Sequence, residues 1–462
     1  MQAILDLRLQ DAQFMIEEEK KIRPDNGYTI YLEHYAESIE LIITEEQALY
    51  ERLLNQYPER IKRMNELDDG SPDNGWLQAE MLFQTGLAQV KFGSRINGVR
   101  KMLSSYHKIR SHRKKNPGFI QNQKLTGTFN IILDNIPPFV RWAADLFGYS
   151  GNSSLGMYQL RHYHEQVKTT PGLAEEAALF CMLGYKLTMQ DDDGFMFIGE
   201  LDQSMRSNTL VKYLHANAAI YIYRNDLAIR LLGEIYQKDL QVDFHSLDYL
   251  TGRCKLNHLE KDADRYLKRF LSTYQGLDYK KDACNRLSYH YLIQGDRKKY
   301  EEYRAKVSAV GQTLRDRDQE ALLEVTTGID HHPGLLSARL FCDGGYFDAA
   351  LLIIEGIDPE NLDHVAYRLE YDYRLGRIKQ LTHHQAEAAT ALTKAYDEGR
   401  SQPYTFATRA ALQLARISEE NEDYVMALEW YNRSINAWSS VHSTESLKDM
   451  AVKGAKRTKG KS

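Results

Sequence analysis

The amino-acid sequence predicts an all-α fold, an α-solenoid made of helical hairpins that stack one after another. Three alanines near the C-terminal end of the chain are spaced at intervals of 39 residues: Ala349, Ala388 and Ala427. A small residue that directly follows a leucine stands twelve residues before each of these alanines: Ser337, Gly376 and Ala415. Because small residues let two antiparallel helices touch backbone to backbone, this spacing predicts three consecutive hairpins.

The residue four positions after each alanine is large, which adds a second mark of the same motif: Ile353, Leu392 and Tyr431. A Leu-Gly pair on the first helix and an Ala-x-x-x-Phe pattern on the second are typical of a tetratricopeptide-type hairpin. The interval exceeds the roughly 34 residues of the standard repeat, so we expect longer helices or longer connections. Solenoids mostly bind other molecules, and the pattern therefore favours a binding protein over an enzyme.

At the other end of the chain, residues 1–75 are predicted to form N-terminal helices that cap the array. The first helix carries Ile4, Leu5 and Leu9 on one side. This apolar side could cap the array or pair with a second subunit. A terminal repeat of a solenoid needs a polar outer face. The sequence does not decide between the two alternatives.

The middle of the chain, residues 76–310, is predicted to form irregular hairpins of the same type. Gly86 and Gly98 are twelve residues apart there. Two alanines, each with a leucine four residues later, are 35 residues apart: Ala228 and Ala263. Residues 311–447 are predicted to form the regular 39-residue repeats. The chain as a whole predicts about nine or ten hairpins in a right-handed superhelix.

The last fifteen residues, 448–462, are predicted to be a disordered basic tail. Their charge is +5, which leaves -10 for the rest of a chain whose net charge is -5. The tail could meet an anionic partner or serve solubility alone. The net negative charge argues against a dedicated nucleic-acid binder, so no nucleic acid is predicted as a partner.

The cellular compartment can be predicted from leader peptides and membrane-spanning segments in the sequence. The sequence contains neither a signal peptide nor a stretch of 18 uncharged apolar residues, so as written the chain is expected to be cytoplasmic. It would be periplasmic or envelope-associated if Met1 were not the true start. Four cysteines stand far apart and are expected to be buried, reduced thiols: Cys181, Cys254, Cys284 and Cys342.

Motifs for catalysis or metal binding are incomplete wherever they begin to appear. The glycine-rich stretch 148–156 lacks the lysine and hydroxyl that hold phosphate and Mg²⁺, which favours a turn between helices. The acidic run 191–194 has Asp202 where a calcium loop needs glutamate, which favours a helix-capping turn. In the histidine pairs 331–332 and 383–384, neighbouring side chains diverge, so capping or exposure is favoured over a metal site. No enzyme, cofactor or metal is predicted.

The remaining functional signal is geometric. In a tetratricopeptide array the first helix of each hairpin lines the concave groove, and counting from Gly376 and Ala415 places five side chains there: Tyr373, Arg377, Arg409, Leu412 and Arg416. Guanidinium groups bind carboxylates bidentately, so this set predicts docking of an acidic or carboxylate-ended peptide. The alternative is that these are ordinary solvated positions of a charged helix.

One block of the sequence resembles a known family. Ile136-Pro137-Pro138-Phe139, residues 146–152, Gly156 and Leu160 resemble a stretch of the tetratricopeptide-39-like family of outer-membrane and inclusion-clearance proteins. Tyr149 and Asn152 replace the usual Phe and Asp. The chain is also similar to poorly characterised bacterial tetratricopeptide proteins, some of which are exported. The resemblance implies a helical repeat protein that acts through protein contacts, in some members at a membrane surface, without catalytic residues.

The sequence as a whole predicts a non-enzymatic scaffold that binds a protein or peptide in its groove; it does not indicate an oligomeric state. The alternative is an envelope- or membrane-associated structural component. In that case the basic tail or the apolar block 137–139 would contact anionic lipid.

Overall fold

The structure, a computed structural model, describes residues 1–67, 70–136 and 149–461. All regular elements in these ranges are helices, which confirms the predicted all-α fold. The chain divides into two compact units, each assembled from separate stretches of sequence. Unit 1 consists of Met1–Ile222, Asp226–Leu247 and Tyr274–Gly276. Unit 2 consists of Tyr223–Asn225, Asp248–Thr273 and Leu277–Ser462.

The helices of unit 1 are mostly paired as antiparallel hairpins. They are α1 (Gln2–Leu5), α2 (Leu9–Ile22), α3 (Gly27–Thr44), α4 (Gln47–Glu66), α5 (Pro72–Lys91), α6 (Arg95–Lys115), α7 (Asn122–Asp134), α8 (Ser153–Val167), α9 (Leu173–Leu187), α10 (Asp191–Glu200), α11 (Gln203–Ser207), α12 (Thr209–Tyr221) and α13 (Asn225–Tyr236), whose first residue belongs to unit 2.

The helices of unit 2 include the three hairpins that the sequence predicts as regular repeats, which are α19–α20, α21–α22 and α23–α24. The set is α14 (His245–Asn257), whose first three residues belong to unit 1, α15 (Ala263–Thr273), α16 (Lys280–Ile293), α17 (Arg297–Ala309), α18 (Asp316–Thr326), α19 (Pro333–Gly344), α20 (Phe347–Glu355), α21 (Val365–Leu381), α22 (Gln385–Gly399), α23 (Phe406–Glu420), α24 (Tyr424–Ala437) and α25 (Glu445–Lys459).

Small residues lie where the two helices of a hairpin cross, as the spacing predicts. A Cβ atom added at Gly376 would lie 2.7 Å from Leu392 Cγ, and one at Gly252 would lie 2.7 Å from Leu267 Cγ. In α5–α6 the contact is between backbones, because a Cβ at Gly98 would lie 2.7 Å from the carbonyl oxygen of Gly86. These crossings are the tetratricopeptide-type contact between a small residue and the Ala-x-x-x-Leu helix.

The first regular hairpin crosses one residue later than its predicted position. Ala338, Ala350 and Ile354 are fully buried, whereas Ser337, Ala349 and Ile353 are partly exposed. The buried alanines are still twelve residues apart, so the motif is present, but the interval from Ala350 to Ala388 is 38 residues. The strict 39-residue interval is therefore wrong for this step, because Ala349 and Ala350 are both small and only burial distinguishes them.

The tight turns of the three hairpins contain one residue each in the left-handed region of backbone conformation. Gly345 has φ 84°, His383 φ 63° and Glu422 φ 60°. His383 is thus a turn residue, and His384 precedes the first residue of α22. Both side chains are exposed, as one of the two expected alternatives for this histidine pair requires.

The N-terminal segment is buried inside unit 1. Ile4, Leu5 and Leu7 are almost fully buried. Asp6 accepts hydrogen bonds from the backbone N–H of Thr209 at 2.8 Å and from Lys238 Nζ at 2.9 Å. The side-chain oxygen of Gln241 accepts two further bonds, from the backbone N–H groups of residues 10 and 11. The apolar side chains Ile4, Leu5 and Leu7 therefore pack within their own unit.

A buried ion cluster joins three helices of unit 1. Lys124 on α7 is fully buried, and its Nζ lies 2.8 Å from Glu176 Oε1 and 3.1 Å from Glu80 Oε2. Burial raises the pKa of Glu80 to about 7, against the attraction of the Lys124 charge. The lysine charge is thus shared between two carboxylates, of which Glu80 titrates near neutral pH.

The predicted disordered tail is wrong for most of its length, because α25 runs to Lys459. Its buried residues are Leu447, Ala451, Gly454 and Thr458. Their spacing of four, three and four residues forms one helical stripe. Gly454 packs so closely on the ring of Tyr431 that an added Cβ would lie 2.3 Å from it. Basic composition suggested disorder, but the apolar stripe decides the structure.

The predicted burial of all four cysteines is confirmed, and none forms a disulfide. Among the described residues, no helix combines the length and the apolar character needed to cross a membrane. The predicted boundaries at residues 75 and 310 concern the regularity of the repeats and stay predictions.

Candidate functional site

The predicted groove residues lie on α21 and α23, the first helices of two hairpins. Tyr373 and Leu412 are 5% and 2% exposed and belong to one apolar core cluster. Arg377, Arg409 and Arg416 are partly exposed. Of the predicted set, the three arginines are therefore partly accessible to solvent, while Tyr373 and Leu412 lie in the core.

An arginine directly follows the small crossing residue on the first helix of all three hairpins: Arg339 after Ala338, Arg377 after Gly376 and Arg416 after Ala415. Equivalent positions of stacked repeats face the same way, so these three side chains form a row, which we call the arginine row. The side of α19, α21 and α23 that carries the row and Arg409 is called the inner face. Arg339 was missed in the sequence because the predicted crossing residue, Ser337, is one position too early.

Arg339, the first member of the row, has a carboxylate partner. Its Nη1 donates to Glu324 Oε1 at 2.7 Å, and the hydroxyl of Tyr289 donates to the same carboxylate. Burial raises the pKa of Glu324, but the charges of Arg339 and His331 and the hydrogen bonds from Tyr289 and Arg339 together outweigh burial and hold that pKa well below its ordinary value. Glu324 belongs to α18, so this arginine is neutralised by a helix that lies outside the hairpin pattern.

Arg377 and Arg416, the other two members, contact no carboxylate among the described residues. Arg377 donates to the hydroxyl of Tyr223 at 2.6 Å and to the side-chain oxygen of Gln380 at 2.7 Å. Among the described residues, the one side-chain hydrogen bond of Arg416 goes to the sulfur of Met450, at 3.6 Å. Burial lowers the pKa of Arg416, and the charge of Arg377 lowers it further. Two neighbouring guanidinium groups thus repel each other in a partly buried place, which is the electrostatic setting that an anion relieves.

Tyr223 was not predicted as part of the site. It lies in a short segment, Tyr223–Asn225, that packs with unit 2. The residue has φ 62°, and its ring lies 5.6 Å from that of Phe347. No repeat motif marks this position, since it reaches Arg377 across 154 residues of sequence.

Helix α18 contacts the inner face at several points. Glu320 accepts a hydrogen bond from Arg409 Nη2 at 2.7 Å. Glu324 binds Arg339 as described, and Asp316 forms a hydrogen bond with Ser446 of α25. The predicted groove arginine Arg409 is thus already paired within the chain. Two side chains of α18 reach the inner face, while the helix itself packs mainly against α16 and α17.

Asp318 holds α18 against the start of α16. Its carboxylate accepts hydrogen bonds from the backbone N–H groups of Tyr279 at 2.6 Å and Asp282 at 3.0 Å. Burial raises its pKa to about 7 against these two hydrogen bonds, and the charges of Asp282 and Asp278 act in the same direction as burial. The carboxylate therefore titrates near neutral pH, well above the ordinary value of 3.8.

This pKa predicts a pH-dependent stability. An acid whose pKa is higher in the folded state binds its proton more tightly when folded, so its contribution to stability is lost as pH rises through about 7. We expect the melting temperature to rise from about pH 8 to about pH 5.5, and Asp318→Asn to remove part of that rise. Circular dichroism melts at several pH values measure it. Parallel profiles for the wild type and the variant would contradict the assignment. Burial also raises the pKa of Glu80 to about 7, so its contribution to stability should change with pH in the same direction. Glu80→Gln therefore serves as the comparison variant.

The remaining candidate motifs have structural roles where they are described. His332 Nδ1 accepts a hydrogen bond from the backbone N–H of Leu335 and caps α19. The acidic run 191–194 occupies the first turn of α10, as expected. Gly156 lies at a crossing with Gly127, where an added Cβ would be 2.7 Å from the carbonyl oxygen. Gly148 and the block 137–139 lie outside the described residues. No group of three potential metal ligands occurs in the part of the chain that the structure describes.

No protein-family model matches the sequence. No curated protein matches it either. Among solved structures, the chain is similar to the TPR domain of P58(IPK), with 12% identity, a TM-score of 0.22 and coverage of 90% of this chain and 96% of that one. It is similar to yeast Tom70, with 13% identity, a TM-score of 0.29 and coverage of 98% and 96%. It is also similar to the APC/C hetero-tetramer Cut9-Hcn1, with 11% identity, a TM-score of 0.28 and coverage of 99% and 94%. The tetratricopeptide-type fold of this chain rests on its own hairpin crossings.

Proposed function

We propose that the protein is a non-enzymatic interaction scaffold whose unit 2 binds a protein or peptide partner through a carboxylate at Arg377 and Arg416. One observation carries the proposal. These two members of the arginine row contact no carboxylate among the described residues, whereas Arg339 at the equivalent position binds Glu324. The chain itself thus supplies an example of the contact that the partner would make.

Guanidinium chemistry supports a carboxylate as the ligand. A planar guanidinium group presents paired N–H donors that match the two oxygens of a carboxylate. The thioether sulfur of Met450 is a weak acceptor and leaves most donors of Arg416 available. A carboxylate from a partner would give these donors strong acceptors and would offset the repulsion between the two arginines.

The spacing of the two arginines suits a peptide with more than one acidic group. Arg377 and Arg416 lie on the first helices of consecutive hairpins, and packed helices are about 8–10 Å apart. An α-helix rises about 1.5 Å per residue, so carboxylates about seven residues apart on a helix would meet both. A single C-terminal carboxylate would meet one arginine, with a second acidic side chain for the other.

The test is the double variant Arg377→Gln with Arg416→Gln. Its probe is an array of acidic peptides, each made with a free C-terminal carboxylate and with an amide. Hydrogen bonds to charged groups contribute about 1.5–3 kcal/mol each, so we expect affinity to fall at least about tenfold for each arginine lost. The melting temperature should not fall, because the variant also removes the repulsion between the two charges.

Arg433→Gln is the matched control. Arg433 lies on α24, the second helix of the same hairpin as Arg416, and its guanidinium forms an exposed ion pair with Glu429 one turn away. This change should leave peptide binding unaltered. Equal affinity of the double variant and the wild type for every acidic peptide would overturn the proposed site.

A further inference from the structure

We propose that α18 is an intramolecular ligand of unit 2, and that an acidic helix of a partner protein displaces it from the inner face. The inference rests on the proposed function. It adds that the partner presents an acidic helix and that this helix binds by displacing α18. Three features of α18 carry it: the arrangement of its carboxylates, the polar nature of its contacts and the glycines at its two ends.

Three carboxylates of α18 are spaced four residues apart. Asp316, Glu320 and Glu324 lie on one side of the helix, since residues four apart are neighbours on a helix surface. Glu320 pairs with Arg409 on α23, and Glu324 pairs with Arg339 on α19, both at 2.7 Å. An acidic helix laid along the inner face is therefore a binding mode that this surface already uses.

The contacts of α18 are mainly polar. Its only buried residues are Asp318 and Ala321. Leu322 and Val325 are only partly buried. By comparison, the short helix α20 has Ala350 and Ile354 fully buried. Ala321 and Val325 pack with Cys284 and Val307 in a small apolar cluster. A displacing helix must therefore carry small apolar residues beside its carboxylates in order to keep this cluster buried.

Glycines lie at both ends of the segment, and Gly328 at its C-terminal end has free space around it, whereas a Cβ atom at Gly311 would lie 2.7 Å from the carbonyl oxygen of Leu277. Gly311 and Gly328 have φ of 60° and 71°, in the left-handed region that glycine adopts without strain. No heavy atom lies within 4 Å of a Cβ position at Gly328. An isolated helix of eleven residues is marginal in water, so released α18 would lose its helical hydrogen bonds.

A partner can bind more arginines than α18 does, because Arg377 and Arg416 have no carboxylate partner among the described residues. Helix α18 pairs with Arg339 and Arg409 but contacts neither Arg377 nor Arg416. A longer acidic helix of about 20 residues spans about 30 Å and can supply carboxylates to all four. The partner therefore exchanges two ion pairs for four, which offsets the loss of the two backbone hydrogen bonds that Asp318 accepts.

The experiment uses the full chain and a helical alanine–glutamate peptide of about 20 residues with glutamates spaced four apart; its glutamine version is the reference probe. We expect the acidic probe to bind and the glutamine probe not to bind. Saturation with the acidic probe should speed amide hydrogen exchange in residues 316–326. Glu320→Gln should raise probe affinity about fivefold, since it removes one partly exposed ion pair that competes with the probe.

Glu302→Gln is the matched control, because Glu302 forms an exposed ion pair with Lys306 one turn away on α17. It should leave the affinity of the probe unchanged. If the probe binds while exchange in α18 stays slow and Glu320→Gln has no effect, the displacement is overturned and the carboxylate site stands. If no acidic probe binds the wild type or Glu320→Gln, the proposed function is overturned with it.

Discussion

Replacing Lys124 with alanine is expected to lower the free energy of unfolding by about 3–5 kcal/mol, because removal of one partner leaves buried charges without compensation. Lys124 is fully buried between Glu80 and Glu176. Burial disfavours its charge, but the two carboxylates outweigh burial and raise its pKa. Urea denaturation followed by circular dichroism measures the loss in unit 1.

The size of this loss should depend on pH. Glu80 takes up a proton near pH 7 in the wild type. Without Lys124 both carboxylates would accept protons more readily, so the destabilisation should shrink as pH falls. Lys168→Ala is the control, since its ion pair with Glu165 is half exposed on both sides and should contribute little to stability. A loss as small as that for Lys124→Ala would show that the cluster adds little to stability.

Gly98→Ala is expected to destabilise unit 1 by about 2 kcal/mol, as overpacked sites do. The added methyl carbon would lie 2.7 Å from the carbonyl oxygen of Gly86 and 2.8 Å from the backbone nitrogen of Val90. Backbone atoms cannot rotate away as side chains do, so α5 and α6 would have to separate along the crossing. Thermal and urea denaturation measure the effect.

Gly233→Ala is the matched control for the crossing. Gly233 lies in helix α13, and no heavy atom lies within 4 Å of its Cβ position. Alanine there should stabilise the helix by up to about 1 kcal/mol, because alanine has the higher helix propensity. If the two substitutions change the free energy of unfolding in opposite directions, the crossing geometry is supported. If Gly98→Ala leaves the free energy of unfolding unchanged, the crossing geometry is contradicted.

The hairpins were predictable because their evidence lies close together in sequence. Gly376 must be small since Leu392 packs on it, and both residues fall within one motif of seventeen positions. Ala349 and Ala350 show the limit of this reasoning. Both fit the size requirement, and the choice between them depends on the direction of the side chain around the helix axis.

The candidate site was only half predictable. Counting along each helix identified Arg377, Arg409 and Arg416, but a guanidinium group becomes a free site only if no carboxylate reaches it. Glu320 reaches Arg409 across 89 residues of sequence. Such a pairing depends on how the helices stack, and no local pattern records it. In the tail, by contrast, the evidence was local. The basic composition predicted disorder, although the sequence contains a stripe of small and apolar residues at helical spacing.

The contacts of Asp6 set the order in which unit 1 can be completed during synthesis. Its partner Lys238 is 232 residues further along the chain. At about 5–20 residues per second, a ribosome needs roughly 10–50 s to make that stretch. Throughout this interval Ile4, Leu5 and Leu7 have no finished site to occupy. A molecular chaperone that recognises short apolar segments would find its target in this segment of the nascent chain, and would have to release it after residue 241 emerges.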